Sequence, residues 1–445
     1  MIHHGEGETM FCPKCGAQLP DGAKFCGSCG FSLDAMRTPG TAANASASTS
    51  TPAVQQTPKT SGSLVIRRGL IALGSFAAIV VAVVAVVFFV LPRVFGGGAS
   101  SQEEAATQAS LSAVYGLGTG AAGDGAEYFY STNAGGICRS TGPNSVEVIY
   151  PVDNEEDYVS CLTAEGGRIY FVKSTYTSMY SSATVYSIAA NGSDEKSLYH
   201  YELPEDSYGN VNQIRFIDGR MYLLCTTTSD GGSFSIVSLN KEGDDERELG
   251  TVDMPATAVL IMPDAVYFTN NSYSQNTNTT GSLYRTDFVD GELVGAKEIY
   301  KSLKGSASYI ALINGRLYLQ EENYSAGRFS IVSLNEDGSD AKTVYEAKSG
   351  MVETMEAVNG GDLYLKSYES DPTSVDGGTW NLLKVPVSSG KAATIAEGLT
   401  YYNASIANTG KHLLIAENGQ YQGSMGERIA SIGFDGSSLT DYNLG

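Results

Sequence analysis

The heptapeptide FSIVSLN occurs twice in this chain, at Phe234–Asn240 and at Phe329–Asn335. Both copies alternate apolar with small polar residues, and each is followed at once by an acidic turn that contains glycine, KEGD after the first and EDGS after the second. Such alternation is typical of a β-strand with one buried side. An identical strand at two distant places indicates that the chain is built from internal repeats.

A tyrosine-centred segment precedes each copy and recurs along the chain. The seven segments read EYFY, RIYFV, RMYLL, AVYFT, RLYLQ, DLYLK and, in degraded form, HLLIA, with central residues Tyr128, Tyr170, Tyr222, Tyr267, Tyr318, Tyr364 and Leu413. Successive spacings are 42, 52, 45, 51, 46 and 49 residues. An apolar segment comes before each one, two strand-like segments follow, and Asp-Gly or Asn-Gly dipeptides mark tight turns.

Four short strands in a repeat of about 47 residues are typical of one blade of a β-propeller. We therefore predict a mainly β fold, a seven-bladed β-propeller over residues 111–445. A ring of six or eight blades and an open β-solenoid are the alternatives.

A long apolar run lies upstream of the repeats. Gly69 to Leu91 holds about 23 apolar or small residues, with Arg67 and Arg68 before it and Arg93 after it. As a helix this run spans roughly 34 Å, enough to cross a hydrocarbon core of about 30 Å. We predict a single transmembrane α-helix within residues 64–92, and the slight excess of positive charge before it favours a cytoplasmic N-terminus.

Four cysteines near the N-terminus form the pattern C-x2-C-x10-C-x2-C. They are Cys12, Cys15, Cys26 and Cys29. Two such pairs complete the tetrahedral thiolate shell that zinc prefers, so we predict a structural zinc site; two disulfides or thiol redox chemistry are the alternatives. Thiolates hold zinc where thiols stay reduced, which also places this end in the cytoplasm.

The stretch from Met10 to Phe31 resembles the short zinc ribbon found at the N-termini of many bacterial membrane proteins, before a linker and one transmembrane helix. All four ligand positions match, and the resemblance implies structural zinc and a docking role toward a cytoplasmic protein. The repeats resemble, more loosely, an uncharacterised group of bacterial extracellular propellers through the cadence Leu-Tyr-Arg … Asp-Gly.

These patterns predict five parts: a zinc ribbon at 10–31, a flexible cytoplasmic linker at 32–63, the transmembrane helix at 64–92, a juxtamembrane linker at 93–110 and the propeller at 111–445. The first linker is rich in Ala, Ser, Thr, Pro and Gln, a composition that cannot bury enough apolar surface to fold. Residues 1–9 read as an upstream extension. The expected location is the cell membrane, with the propeller extracytoplasmic.

The loops between second and third strands are long and rich in Tyr, Ser, Thr, Asn and Gly, whereas the other turns of a blade are short. Rigid aromatic rings among adaptable polar groups are typical of recognition surfaces, and tyrosine can stack on sugars. We predict a ligand or partner face, for a protein or a glycan, that includes Tyr176, Tyr180, Tyr273, Tyr324, Tyr368, Trp380 and Tyr421. The alternative is that these residues only pack and solvate loops.

The formal net charge is −21, and because residues 1–63 carry four acidic and four basic residues, the excess belongs to the C-terminal part. An acidic domain and a neutral ribbon argue against nucleic acid as a partner. A cationic peptide or metal ions remain compatible with this charge. The run Asp153–Asp157 lacks the spacing of a calcium loop and reads as a solvated loop.

No sequence motif for nucleophilic, metal-dependent or phosphate-transfer catalysis is present. His200 and His412 read as structural, and Cys138, Cys161 and Cys225 as buried thiols, with a disulfide between two of them as the minority alternative. We therefore expect that the chain is not an enzyme. The expected function is a membrane-anchored envelope protein whose propeller binds a ligand or partner while the ribbon docks to another protein. The alternatives are an extracytoplasmic hydrolase or lyase on a propeller scaffold, and a sensor read through the ribbon.

Overall fold

The computed structural model of the chain describes residues 10–11, 18–19, 108–109, 119–120, 124–153, 157–176, 181–201, 203, 209–227, 232–272, 280–302, 305–323, 327–369, 379–400, 403–421 and 424–444. The chain divides into two compact units, Met1–Pro92 and Arg93–Gly445. In the first unit, β1 (Met10–Phe11) pairs antiparallel with β2 (Gln18–Leu19). None of the residues described forms a helix of the length and apolar character needed to span a bilayer; the span predicted at 64–92 lies outside them.

The second unit begins with two short strands, β3 (Gln108–Ala109) and β4 (Thr119–Gly120), and continues as seven sheets in chain order. Blade 1 contains β5 (Glu127–Ser131), β6 (Gly136–Gly142) and β7 (Ser145–Pro151). Blade 2 contains β8 (Asp157–Glu165), β9 (Arg168–Tyr176), β10 (Ser181–Ala189) and β11 (Lys196–Tyr201). Blade 3 contains β12 (Gly209–Ile217), β13 (Arg220–Thr227), β14 (Ser233–Leu239) and β15 (Arg247–Val252).

The remaining blades follow the same order. Blade 4 contains β16 (Ala258–Ile261), β17 (Ala265–Ser272), β18 (Thr280–Val289) and β19 (Glu292–Lys301). Blade 5 contains β20 (Ser306–Ile313), β21 (Arg316–Asn323), β22 (Arg328–Asn335) and β23 (Lys342–Glu346). Blade 6 contains β24 (Met351–Asn359), β25 (Asp362–Glu369), β26 (Trp380–Pro386) and β27 (Ala393–Leu399). Blade 7 contains β28 (Asn403–Asn408), β29 (Leu413–Tyr421), β30 (Ser424–Ile432) and β31 (Thr440–Asp441).

The predicted seven-bladed, mainly β propeller and its tyrosine-centred strands are confirmed. Each blade is an antiparallel meander whose first strand is innermost: β20 is buried along nearly its whole length, whereas the fourth strand β19 is mostly exposed. The core fills the spaces between blades, as where Ala311 and Ile331 of blade 5 meet Met355 and Leu365 of blade 6. Each sheet has apolar side chains on both faces because both faces pack against neighbouring blades.

The short strands before blade 1 add to inner edges of other blades. β3 pairs antiparallel with β20, and β4 pairs parallel with β8. β3 falls within the predicted juxtamembrane linker. Blade 1 departs from the predicted four-strand repeat, because the part of it that the structure describes has three strands and β4 pairs with blade 2 instead.

In most blades the turn between third and fourth strands lies against the outer strand of the preceding blade. In five blades this turn contains a glycine at which a Cβ would collide with backbone or side chain of that strand: Gly192, Gly243, Gly338, Gly390 and Gly436. All five also have φ between +63° and +91°. Glycine is therefore required here for both space and conformation.

The tyrosine of the second strand makes the complementary contact with the next blade. The Tyr267 hydroxyl donates to Glu336 Oε2 of the blade 5 turn at 2.8 Å, and Tyr364 donates to the Phe434 carbonyl of blade 7 at 3.2 Å. The Tyr128 hydroxyl lies 3.5 Å from the Ala190 carbonyl of blade 2. In blades 1, 4 and 6 the repeated tyrosine thus links consecutive blades at the face that carries the tight turns.

The ring closes between blades 7 and 1 through side chains. Glu427 accepts from the Ser131 hydroxyl at 2.7 Å and from the Asn133 N–H at 3.0 Å. The rings of Phe129 and Tyr442 meet edge to face with centroids 5.8 Å apart. The Asn443 N–H donates to the Pro143 carbonyl at 2.9 Å, so the blade 1 turn also contacts the preceding blade.

Candidate functional site

Two faces of the ring differ in what their residues do. The turn face is the face where second strands begin and third strands end. The loop face is the opposite face, where first strands begin and second strands end. On the turn face, Arg168, Arg220 and Arg316 each begin a second strand and pair with an aspartate of their own blade, Asp194, Asp245 and Asp340. With the tyrosines and glycines described above, the polar groups of this face hold blades together.

The predicted ligand-face residues distribute unevenly. Tyr176 and Tyr421 end β9 and β29 at the loop face, and Tyr368 lies near the same end of β25, 6.0 Å from Lys366 Nζ. Tyr180, Tyr273 and Tyr324 lie outside the described residues.

Trp380 differs from the tyrosines, since its side chain is only 1% exposed. Its Nε1–H donates to Glu417 Oε1 at 2.8 Å, and Arg428 Nη1 lies 2.8 Å from Glu417 Oε2. The ring is therefore part of the core between blades 6 and 7 and is not presented to a ligand. The sequence pattern did not reveal this, because a residue that opens a third strand after a long loop can point either way.

Blades 5 and 6 bring buried carboxyl groups together toward the loop face. Glu322 Oε1 accepts from Ser308 Oγ at 2.5 Å and from Gln320 Nε2 at 2.7 Å. Gln320 also donates to the Glu353 carbonyl at 2.8 Å and accepts from the Met355 N–H at 2.6 Å. Gln320 thus cross-links the two blades through backbone groups that would otherwise be buried without partners.

Two further carboxyls bind tyrosines of a neighbouring outer strand. The Tyr300 hydroxyl of blade 4 donates to Glu321 at 2.7 Å, and the Tyr345 hydroxyl of blade 5 donates to Glu353 at 3.0 Å. Burial raises the pKa of Glu353. Both carboxyls are nearly inaccessible, and each joins two blades through Oε1, whereas its Oε2 is buried without a hydrogen-bond partner among the described residues.

Glu356 differs from these carboxyls. It is the extra residue of a β-bulge in the innermost strand β24, where the register shifts between Met355 and Ala357, and its side chain is 14% exposed. Glu356 Oε1 accepts from Thr354 Oγ1 at 2.7 Å and lies 3.9 Å from Lys366 Nζ. Burial raises the pKa of Glu356 to about 6 despite the nearby ammonium group. Bulges re-aim side chains and are frequent beside active sites.

Tyr309 occupies a matching bulge in blade 5. The register of β20 shifts between Ser308 and Ile310, and Tyr309 has φ of 48°, an unusual conformation for an aromatic residue. Burial, followed by the negative charges of Glu356 and Glu322, raises the pKa of Tyr309, so its hydroxyl stays protonated. We call Tyr309, Thr354, Glu356 and Lys366 the bulge site.

The bulge site combines a proton acceptor that titrates near neutral pH with a phenol donor and an ammonium group. Carboxylate, phenol and ammonium groups with shifted pKa values can each serve in general acid–base catalysis. These residues were not predicted from the sequence, because carboxylates are common in an acidic domain. A threonine and a glutamate two residues apart in the otherwise apolar MVETMEAV, and a tyrosine within SASYIALI, were the available signals.

Metal and thiol predictions have separate outcomes. Among the described residues, no group of three His, Cys, Asp or Glu side chains is arranged to hold a metal ion, and Cys12, Cys15, Cys26 and Cys29 lie outside them. Cys138, Cys161 and Cys225 are free and buried, and burial raises the pKa of each thiol to about 12. These three thiols are therefore unreactive.

Comparisons with known proteins identify one family segment. A zinc-ribbon domain model matches residues 11–33, which contain all four of the N-terminal cysteines. The predicted zinc ribbon is thereby supported, and with it zinc binding at this end of the chain. A comparison with curated proteins finds no match.

Solved structures share the propeller fold. Puromycin hydrolase in complex with PGG is 10% identical with a TM-score of 0.52, over 74% of this chain and 53% of that one. A puromycin-hydrolysing peptidase from Mycobacterium tuberculosis is 13% identical with a TM-score of 0.50, over 75% of this chain and 54% of that one. This chain thus spans about half the length of the hydrolases that it matches. At this identity the likeness shows the fold alone.

The expectation that the chain is not an enzyme, which rested on missing catalytic motifs, is wrong. The propeller that the repeats build is a fold found in hydrolases, so the fold and the missing short motifs do not exclude catalysis. The physical reason is that carboxylates at β-bulges leave no fixed-spacing signature, unlike a nucleophile elbow or a phosphate loop.

Proposed function

We propose that the chain is a hydrolase whose propeller carries Glu356 as the proton-accepting group. The supporting observation is the bulge site, where a partly exposed carboxylate with a pKa of about 6 lies beside Tyr309 and Lys366. The named activities of the puromycin hydrolases make amide bonds of peptides and aminoacyl compounds the first substrate class to test.

In the proposed reaction, the Glu356 carboxylate takes a proton from water, and the water oxygen attacks the carbonyl carbon of the amide. The Tyr309 hydroxyl donates to the carbonyl oxygen as negative charge develops there. The amide C–N bond then breaks, and the proton held by Glu356 passes to the leaving nitrogen. Thr354 and Lys366 are positioning residues that fix the carboxylate through the contacts at 2.7 and 3.9 Å.

A lyase would use the same carboxylate to remove a proton from carbon, and its unsaturated product would distinguish the lyase reaction from hydrolysis.

We further propose that residues 64–92 anchor the protein in the cell membrane, with the ribbon cytoplasmic and the propeller extracytoplasmic. The apolar run and its flanking arginines support this topology. In this arrangement the ribbon docks to a cytoplasmic protein, and the loop face, where Tyr368 lies on the same blade as Glu356, contacts the substrate.

The test uses the full chain purified in detergent, with puromycin and a panel of aminoacyl amides and peptides. Because a base acts in its deprotonated form, we expect kcat/KM to rise as pH increases through about 6 and to level off above it. Glu356→Gln should lower kcat by about 100-fold or more, in the range of lost general acid–base catalysis.

The matched control is Glu298→Gln, which changes an exposed glutamate on the outer strand of blade 4. This variant should keep full activity, and both variants should unfold at the same urea concentration as the parent. Absence of turnover on every substrate, or full activity of Glu356→Gln, would overturn the proposed function.

A further inference from the structure

Arg215, on an innermost strand of the ring, has no anionic partner among the residues that the structure describes. It lies on β12, the innermost strand of blade 3, and Nη2 contacts only the Met262 sulfur, at 3.7 Å. Its Nε–H is buried and has no hydrogen-bond acceptor. Seven other arginines of the described propeller pair with carboxylates, namely Arg139, Arg168, Arg220, Arg247, Arg285, Arg316 and Arg428, and Arg328 is exposed to solvent.

This arrangement is costly for the fold. Burial lowers the pKa of Arg215 to about 10, yet the group stays charged at neutral pH. A cation removed from water without an anion or acceptors to replace the lost solvation destabilises a protein. The chain carries an excess of 21 negative charges, so an aspartate or glutamate partner would have been easy to supply.

Gln213 adds a second unsatisfied atom on the same strand. Its Oε1 is buried without a donor. The bulge of β12 lies between Val211 and Gln213, so the strand is regular from Gln213 onward and the two side chains point to the same side, about 7 Å apart along the strand. A donor and an acceptor without partners among the described residues therefore lie on the same side of one strand, and both side chains keep part of their surface exposed.

We propose that Arg215 and Gln213 form a subsite for a ligand carboxylate that has an N–H or O–H donor beside it. The guanidinium offers Nε–H and a terminal N–H as parallel donors, the geometry that binds a carboxylate in two places. Gln213 Oε1 accepts from the neighbouring donor of the ligand. A peptide C-terminus and a sugar acid both carry this chemistry. The subsite stands on blade 3 and does not depend on catalysis at the bulge site.

Isothermal titration of the full chain in detergent tests the subsite at low salt. N-acetylglycine and glucuronate represent the two sources of the carboxylate, and N-acetylglycinamide lacks the carboxylate but keeps the N–H. We expect at least one acid to bind at least 10-fold more tightly than the amide, and the acid that binds identifies the source. Arg215→Met should weaken that binding at least 10-fold, and Gln213→Leu should weaken it severalfold.

Arg168→Met is the control, because Arg168 is paired with Asp194 on the turn face. This variant should bind the acid as tightly as the parent does. A second readout guards against misfolding: the bound acid should raise the melting temperature of the parent and not that of Arg215→Met. Equal binding of acids and amide, or parent-like binding by a folded Arg215→Met, would refute the subsite. Turnover is not measured, so failure of the proposed hydrolase would leave this result intact.

Discussion

Single glycines decide how closely consecutive blades approach. Gly338 of blade 5 has φ of +84°, and a Cβ there would overlap the Ile299 carbonyl oxygen of blade 4. Gly291, in the blade 4 hairpin, has nearly the same φ of +86°, but a Cβ added there would have no atom within 4 Å. Substitution of both glycines by alanine therefore separates the cost of the left-handed backbone conformation, which both share, from the cost of the inter-blade clash, which only Gly338 has.

We expect Gly338→Ala to lower the free energy of unfolding by roughly 3 kcal/mol or more, since a rigid backbone atom must move. Gly291→Ala should cost only the left-handed conformation, about 1–2 kcal/mol. Urea unfolding of both variants measures the difference. Equal losses would show that the inter-blade contact contributes nothing.

At the scale of single residues, local structure follows from the sequence. The Asp218-Gly219 and Asn314-Gly315 dipeptides were predicted to form tight turns, and all four residues have positive φ. Contacts between blades do not follow from the sequence in this way. Nothing near Gly338 in the sequence indicates that Gly338 lies against Ile299 of blade 4. The bulged Tyr309 and Glu356 were missed for a related reason: one extra residue in a strand changes the side-chain direction without changing the composition.

The tyrosine-centred strand is the element that repeats most faithfully, and the structure explains why. In blade 4 the Tyr267 hydroxyl donates to Glu336 of blade 5 and accepts from Arg285 Nη1 at 2.6 Å. In blade 7 the equivalent residue is Leu413, which has no hydroxyl. Blade 7 is followed in the ring by blade 1. There the link is made by other groups, among them His412 Nε2, which lies 2.7 Å from Glu127 Oε1. The degraded segment HLLIA therefore marks the point of closure.

Tyr267→Phe should lower the free energy of unfolding by about 1–2 kcal/mol, because Glu336 and Arg285 each lose a hydrogen-bond partner. Tyr318→Phe is the matched control: it changes the same position of blade 5, whose buried ring packs between blades 5 and 6. We expect that change to stay within about 0.5 kcal/mol. Chemical unfolding followed by tyrosine fluorescence measures both, and equal effects would show that the hydroxyl link is not stabilising.

At the scale of the whole molecule, the repeat count gave the correct architecture. Seven periods predicted seven blades because each period is one complete antiparallel sheet. The sequence could not predict that β3 and β4 pair with the inner edges of blades 5 and 2, since two-residue strands carry no periodicity. It also could not assign the function, since the same ring occurs in proteins with different sites.

The two compact units predict independent responses to metal removal. We expect one zinc per chain by elemental analysis, lost in Cys12→Ser and in Cys26→Ser but kept in Cys138→Ser, which changes a buried propeller thiol. Chelation should leave the melting temperature of the propeller unchanged, because the units have separate contacts. A zinc content of zero in the parent, or a propeller that melts earlier without zinc, would contradict this prediction.

The contact of blade turns with the preceding blade, present at five glycines of the ring, continues across the seam, where the Asn443 N–H donates to the Pro143 carbonyl. Most repeats therefore contact the preceding blade through this turn and are contacted in the same way by the next blade. A linear array of repeats can fray from its ends, but this arrangement offers no end at which fraying could begin. The seven repeats should consequently melt in one sharp transition, and damage to any single overlap should weaken the entire circle.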